Sequence, residues 1–398
     1  MNKLSPSRNH FCIAFLMEFR MVFSPFGKPM KTNVRIQAAT IAIVALITSA
    51  QAQFTVGNLV VLQDGDGVQA LSSSGNEIFL DQFTTGGALV NDLAIPTNGP
   101  GALLNSGTAS SEGALNLSAN GQYLVLAGYN VNYGYASSLP SSASTSVPRV
   151  VATVDASGNY TLAVSSSSFF SANNIRSGTT DGNGNFWAVG ANSGVVYMGT
   201  GTPAAVSSTV ANNRVIQDIG GNLYFSTGSG SRGIYSISGT PTSGSATANL
   251  LIPTGTQFGT GASPYDFAIN GNTAYVADSN EFTNSTTVGG VEKWSYNGSA
   301  WVFDYSLSLG TNGASGLAVN FSGANPIIYA TSADGKSLFD VVDTNSTATG
   351  TLLDTAAANT AFRGLDFSPT NVPEPATVAL AGVGLTALWG FTRRNRKS

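Results

Sequence analysis

The chain has 398 residues, only 10% of them charged, with 46 glycines and a formal net charge of −4. Between Gln53 and Val372 it carries seven basic residues (Arg149, Arg176, Arg214, Arg232, Lys293, Lys336 and Arg363) against 19 acidic ones, a net charge of −12 that repels nucleic acid and anionic membrane surfaces. Its one histidine is His10 and its one cysteine is Cys12, so the chain beyond them has no means to form a disulfide, a thiolate or imidazole metal site, or a Ser-His-Asp or Cys-His mechanism.

Residues 1–29 read as an upstream extension or start-site artefact, because a secretory leader begins close to its basic region. That leader is expected over residues 30–52. Lys31 and Arg35 supply the positive end, Ala38–Ile47 the apolar stretch, and Ala50-Gln51-Ala52 a small-x-small cleavage site. Cleavage after Ala52 makes Gln53 the mature N-terminus and removes both His10 and Cys12.

Residues 53–370 are expected to form an all-β body. The stretch is rich in Gly, Ser, Thr and Asn, with scattered clusters of β-branched and aromatic residues, a pattern of short strands and tight turns. A loose unit recurs: an apolar strand, a Gly or Asn turn, then a second strand rich in aromatics. Copies are LNLSANGQYLVLAG from Leu115, TTDGNGNFWAVG from Thr179, VIQDIGGNLYFSTG from Val215, DFAINGNTAYVAD from Asp266 and LAVNFSGANPIIYAT from Leu317. The turn glycines Gly121, Gly184, Gly221, Gly271 and Gly323 are spaced by 63, 37, 50 and 52 residues, against ~40–50 residues for a propeller blade of four strands. The long first gap holds the Ser-rich stretch Ser137–Ser146, which reads as an insertion. At the start, Gly57–Gln63 has a second strand without a first; at the end, Arg363–Pro369 has a first without a second. Joined, they complete one blade and remove the exposed edges. The spacing therefore predicts a β-propeller of six blades, with seven possible, closed by pairing of the N- and C-terminal strands. A β-sandwich pair or a β-solenoid is the alternative.

Candidate chemistry within the body is sparse. Asp64-Gly65-Asp66-Gly67 has the carboxylates for a calcium-binding turn but lacks the later bidentate Glu, and Asp181–Asn185 opens like an EF-hand loop with Phe186 where Gly is needed. Both read as turns, and no cofactor or metal is expected. Asp218, Asp266, Asp278, Asp304, Asp340 and Asp366 recur near the repeat strands. Two of them in a central channel would suit acid–base chemistry on a glycan, although solvated turn carboxylates are the simpler reading. Trp187, Trp294, Trp301, Tyr123, Tyr224 and Tyr275 are read mostly as core, with Trp294 and Trp301, flanking Asn297-Gly298, the best exposed pair for stacking on sugar rings.

The last segment, residues 371–398, has three features in order. These are Val372-Pro373-Glu374-Pro375, an apolar stretch Ala376–Phe391 suited to a single transmembrane helix, and the basic stop Arg393, Arg394, Arg396 and Lys397. The two prolines hold the motif extended and stop a helix spreading back through it. This combination resembles the PEP-CTERM sorting domain of Gram-negative bacteria. The resemblance implies recognition by an exosortase, a membrane-embedded transpeptidase, with processing near the motif and association with exopolysaccharide. The expected protein is thus exported, anchored in the inner membrane in transit, then placed in the envelope, on the surface or in the matrix. Its expected role is non-enzymatic; the alternative is a carboxylate-dependent glycan hydrolase on a propeller.

Overall fold

The computed structural model describes residues 54–310 and 312–370. The short apolar runs of the sequence become strands buried on both faces, and they assemble into six four-stranded antiparallel sheets. Blade 1 contains β1 (Leu59–Asp64), β2 (Ile78–Phe83) and β3 (Leu89–Ala94). Blade 2 contains β4 (Leu115–Leu117), β5 (Tyr123–Tyr129), β6 (Arg149–Asp155) and β7 (Tyr160–Ser166). Blade 3 contains β8 (Ile175–Thr180), β9 (Phe186–Gly190), β10 (Val195–Tyr197) and β11 (Ala204–Ser207), and blade 4 contains β12 (Asn213–Ile219), β13 (Asn222–Thr227), β14 (Gly233–Ile237) and β15 (Asn249–Ile252). Blade 5 contains β16 (Pro264–Asn270), β17 (Thr273–Asp278), β18 (Gly290–Tyr296) and β19 (Trp301–Leu307), and blade 6 contains β20 (Ala314–Asn320), β21 (Ile327–Ser332), β22 (Ser337–Val342) and β23 (Thr351–Thr355). The final strand, β24 (Ala361–Phe367), returns to pair with β1 as the innermost strand of blade 1. The body is a six-bladed β-propeller, and among the described residues there is neither a sandwich, a solenoid nor a seventh blade.

The closure is the one read from the chain ends: Leu59 faces Phe367 and Asp64 faces Ala361, with a bulge between Val61 and Gln63. All five repeat copies fall on the first and second strands of blades 2–6. Gly121, Gly184, Gly221 and Gly271 adopt positive φ in the connecting turns, a conformation that costs a residue with a Cβ. Gly323 does not: the β20–β21 connection is longer and contains Pro326. The Ser-rich stretch is an insertion within blade 2, between β5 and β6. Arg149 pins it from below, donating to the carbonyls of Val147 (2.6 Å), Ser142 (2.8 Å) and, on the far side, Asn173 (3.1 Å).

The core consists of six wedges, one at each blade–blade interface. Alternation along a strand sends successive side chains to opposite faces, so each blade feeds two wedges. Val60 and Leu62 of β1 pack on Leu124 and Leu126 of blade 2. Their neighbours Leu59 and Val61 pack on Leu338 and Tyr329 of blade 6. Trp187 and Val189 likewise meet Ile216 and Phe225 of blade 4, while Ala188 turns back to Val125 and Val151 of blade 2. Both faces are therefore apolar, and the second strands read as continuous runs (LVVL, LVLA, FWAV) without in–out alternation. Each sheet has an inner edge strand at the channel and an outer one, the fourth strand, and the outer strands carry the exposed Leu89, Val302 and Leu352. The connection between blades 4 and 5 holds one short helix, α1 (Thr254–Phe258). Among the described residues, no helix is long and apolar enough to cross a membrane.

Candidate binding site at the channel mouth

The first strand of every blade lines the central channel. These inner strands run in one direction, since the pairing of β12 with β8 advances from Ile216 with Ser177 to Asp218 with Thr179. Side chains on the inner strands, and Thr331 on the second strand of blade 6, staple each blade to the next. The Asp366 carboxylate accepts the Leu117 N–H at 2.6 Å, joining blade 1 to blade 2, while its other oxygen accepts the Phe367 N–H. Asn116 donates to Ser177 Oγ and the Gly178 carbonyl (both 2.9 Å), joining blade 2 to 3. The hydroxyls of Ser177 and Thr179 accept the N–H groups of Ile216 and Asp218, joining 3 to 4. Gln217 donates to Asp266 Oδ1 (3.0 Å), joining 4 to 5, and Asp266 Oδ2 accepts the Leu317 N–H (3.0 Å), joining 5 to 6. The Thr331 hydroxyl accepts the Gly316 N–H and donates to the Arg363 carbonyl, closing the ring from 6 to 1.

The two channel carboxylates among the sequence candidates, Asp266 and Asp366, thus accept backbone N–H groups across blade boundaries. Burial, the larger effect, pushes Asp266 well above the carboxylate range and Asp366 up to about 6, against the opposing pull of those hydrogen bonds. The remaining candidates do not converge. Asp218 accepts the Gly221 N–H in the β12–β13 turn (3.0 Å), Asp304 accepts from Ser295, and Asp278 accepts the Ser263 N–H (2.7 Å). A carboxyl pair that sequence reasoning missed lies within blade 5, where Glu292 sits beside Asp278. Both are fully buried; desolvation first, and then the charge of Asp278, push Glu292 well above its ordinary range. Glu292 also accepts from the Trp294 indole (2.9 Å).

The aromatic expectations divide. Trp187 and Tyr275 are core, as read; the Trp187 indole donates to the Pro241 carbonyl at 2.7 Å. Trp294 is also core, packed edge-on against Phe258 and Phe303, which corrects its reading as an exposed partner of Trp301. Its position on the third strand of a blade puts it in a wedge, whereas Trp301 begins the edge strand and stays half-buried beside Tyr296. Tyr123 lines a cleft of about 340 Å³ between blades 2 and 3, with Thr153, Thr161 and Phe186. The Asp64–Gly67 turn divides its carboxylates: Asp64 points inward to Arg363, and Asp66 accepts the N–H groups of Val68 and Gln69. Asp181 accepts the Asn183 and Asn185 N–H groups within its own turn. Among the described residues, no group of three or more acidic, His or Cys side chains is placed to hold a metal.

Charge is unevenly distributed between the ends of the channel. Arg176 and Arg214 are the second residues of β8 and β12, and Arg363 is the third of β24. With Arg149 at the start of β6, and Arg232 and Lys336 in the loops before the third strands of blades 4 and 6, six of the body's seven basic residues lie toward the face where inner strands begin. The channel opens there in a narrow cavity of about 20 Å³, lined by Ser110, Ser111, Glu112, Arg214, Tyr265 and Ser315, with Asp266 and Arg363 at its walls. The Arg214 guanidinium stacks on the Tyr265 ring, 3.9 Å from its centroid, and donates to Ser263 Oγ (2.9 Å) and the Pro264 carbonyl (3.1 Å). Glu112, buried beneath Ser111, accepts from Tyr129 (2.6 Å), Asn174 and the Ser106 N–H. Burial outweighs these bonds and pushes it up to about 7.

A six-bladed ring with a side-chain-stapled channel and a basic mouth defines the body as a β-propeller of the small, closed kind. The chain that carries it has a PEP-CTERM protein-sorting motif, which matches over residues 371–397 and implies export and processing by an exosortase-type sorting system. At the level of sequence no curated protein matches. Among solved structures the body is similar to a chain of a nidogen/laminin complex (11% identity, 79% of this chain and 99% of that one, TM-score 0.46). It is similar also to a gluconolactonase of Xanthomonas campestris (10%, 77% and 89%, TM-score 0.41) and a putative 6-phosphogluconolactonase of Bacteroides fragilis (13%, 75% and 82%, TM-score 0.42). The sorting-motif residues Val372, Pro373, Glu374 and Pro375, the basic stop Arg393, Arg394, Arg396 and Lys397, and the cleavage residues Ala50 and Ala52 lie outside the described residues.

Proposed function

We propose that this protein is a non-enzymatic display module of the cell envelope, a propeller carried to the outside and held there in association with extracellular polysaccharide. The observation that carries the reading is the sorting motif at residues 371–397 joined to a body whose channel side chains are spent on blade-to-blade hydrogen bonds. Residues 30–52 act as the leader, cut after Ala52. Residues 53–370 are the displayed body. Ala376–Phe391 holds the precursor in the inner membrane, with Arg393, Arg394, Arg396 and Lys397 on the cytoplasmic side, until an exosortase processes it near Val372–Pro375. A hydrolase reading needs two carboxylates across an open cleft. Its nearest candidate, Asp278 with Glu292, lies wholly inside blade 5.

Fractionation tests the address. The native precursor is expected to mature to an envelope or extracellular species, and replacing Pro373, Glu374 and Pro375 by Ala is expected to leave it uncut in the inner membrane. Full-length protein soluble in the cytoplasm overturns the proposal. Release of reducing ends from the producing cell's own polysaccharide by purified mature protein overturns the non-enzymatic part.

A further inference from the structure

We infer that the channel mouth binds the carboxylate group of an acidic saccharide, such as a uronate residue, with Arg214 as its principal donor. The inference rests on the polysaccharide reading above and names the chemistry of the ligand. Within a body of net charge −12, basic side chains without acidic partners are unusual, yet only two ion pairs occur among the described residues, Lys293–Asp343 and Arg363–Asp64. Burial first, and then the charges of Arg214 on Arg176 and of Arg232 on Arg214, weaken these two guanidinium groups; Glu112 and Asp278 act on them from a distance, but neither arginine makes an ion pair. Arg176 Nε is buried without any hydrogen-bond partner, in a side chain only 8% exposed. Arg214 commits one amino group to Ser263 and Pro264; its Nη2 and Nε, which lie against Gly228, make no hydrogen bond to the protein, and the residue lines the cavity.

The acidic groups at the mouth do not fill this role. Glu112 accepts from Tyr129, Asn174 and Ser106, and Asp266 from Phe267, Leu317 and Gln217. Each is engaged by neutral donors, and burial favours its protonated form. What remains at the opening is a guanidinium held flat against Tyr265 and the hydroxyls of Ser110, Ser111 and Ser315. A forked, planar donor matches the two oxygens of a carboxylate. A cavity of about 20 Å³ has room for about one water, so a carboxylate would reach in with one oxygen while the rest of the group and its sugar stay outside.

Titrate full-length mature protein with sodium glucuronate, glucose and inorganic phosphate, by calorimetry or by chemical-shift changes. Saturable glucuronate binding without glucose binding is expected. Arg214→Gln should weaken it by ~10-fold or more and Arg214→Lys by less, because the charge stays but the fork is lost. Ser111→Ala, which leaves the Arg214 contacts intact, should weaken it a few-fold. Unfolding curves for each variant separate loss of the site from loss of the fold. No glucuronate binding by folded wild-type protein, equal binding by folded Arg214→Gln, or phosphate binding as tight as glucuronate each overturns the inference. Export is scored separately by fractionation, so an envelope protein that ignores glucuronate defeats this inference alone, and a glucuronate binder found in the cytoplasm defeats the display reading alone.

Discussion

Blades 1 and 5 place a buried aspartate at the same point and answer it in opposite ways. Asp64 ends the second strand of blade 1 and faces Ala361; Asp278 ends the second strand of blade 5 and faces Pro264. Two residues along the inner strand from these partners stand Arg363 in one blade and Asp266 in the other. Asp64 therefore meets a guanidinium, with Arg363 Nε at 2.9 Å and Asn105 Nδ2 at 3.2 Å. Asp278 meets the Ser263 N–H, Asn280 and the carboxyl of Glu292. Blade 5 is one contiguous stretch whose strands are tied by short turns. Blade 1 joins two segments about 300 residues apart, with Arg363 and Asp64 separated by 299 positions, so its register has no turn to set it. A buried pair of opposite charge penalises every wrong register there. A like-charged pair suffices where the chain itself holds the strands.

The closing pair gives the largest expected effect. Arg363→Ala leaves Asp64 buried without its charge partner and should cost about 3–5 kcal/mol in denaturant unfolding. A loss under about 1 kcal/mol would show that the ladder and the apolar wedge close the ring unaided. Next comes the staple at the blade 5 position equivalent to Arg363. Asp266→Ala orphans the Leu317 N–H and leaves the Gln217 amide only its bond to the Phe267 carbonyl, at about 1–3 kcal/mol, and an unchanged unfolding midpoint would refute its stapling role.

The pH dependence sharpens the contrast between answered and unanswered carboxyls. Burial raises Glu112 to about 7, and burial with Asp92 and Asp354 nearby raises Asp81 to about 7. The folded state therefore holds protons that the unfolded chain releases near its ordinary carboxylate value. Their contribution is complete below that value and is lost as pH rises toward about 7. Thermal unfolding should occur at a higher temperature at pH 5.5 than at pH 8, with Glu112→Gln reducing the difference; a midpoint that rises with pH across this window contradicts the assignment. Each of the two groups contributes on the order of 2 kcal/mol across this window. The smallest effect is expected for Glu292→Gln, which keeps an acceptor for Trp294 and supplies a donor toward Asp278. It should change stability by less than about 1 kcal/mol at pH 5.5 and stabilise at pH 8. A large loss at both pH values would mean that the carboxyl pair is itself structural.

Much of the fold was legible because local rules and ring geometry agree. A strand buried on both faces must be apolar throughout, so runs such as Leu124–Ala127 and Trp187–Val189 announce themselves, and positive-φ glycines mark the turns beside them. The half-blades at Gly57–Gln63 and Arg363–Pro369 predicted closure because neither half can stand with an open edge. Trp294 was misplaced because proximity to Asn297-Gly298 says nothing of which strand of a blade a residue occupies. The mouth was illegible for a different reason. Ser111, Arg214, Tyr265 and Ser315 are each unremarkable, and no spacing links them. The one signal was Arg at the second position of two inner strands, which becomes visible only once strand starts are known.

By itself, the order of residues determined the all-β class, the repeat length, the closure of the ring and the sorting motif, because each rests on neighbours in the chain or on its composition. Tertiary structure alone decided which carboxylates became staples, which aspartate received an arginine, and which basic side chains kept free donors. Those outcomes depend on burial and on distances between blades, and six strands that meet around one axis bring together residues that no local pattern relates.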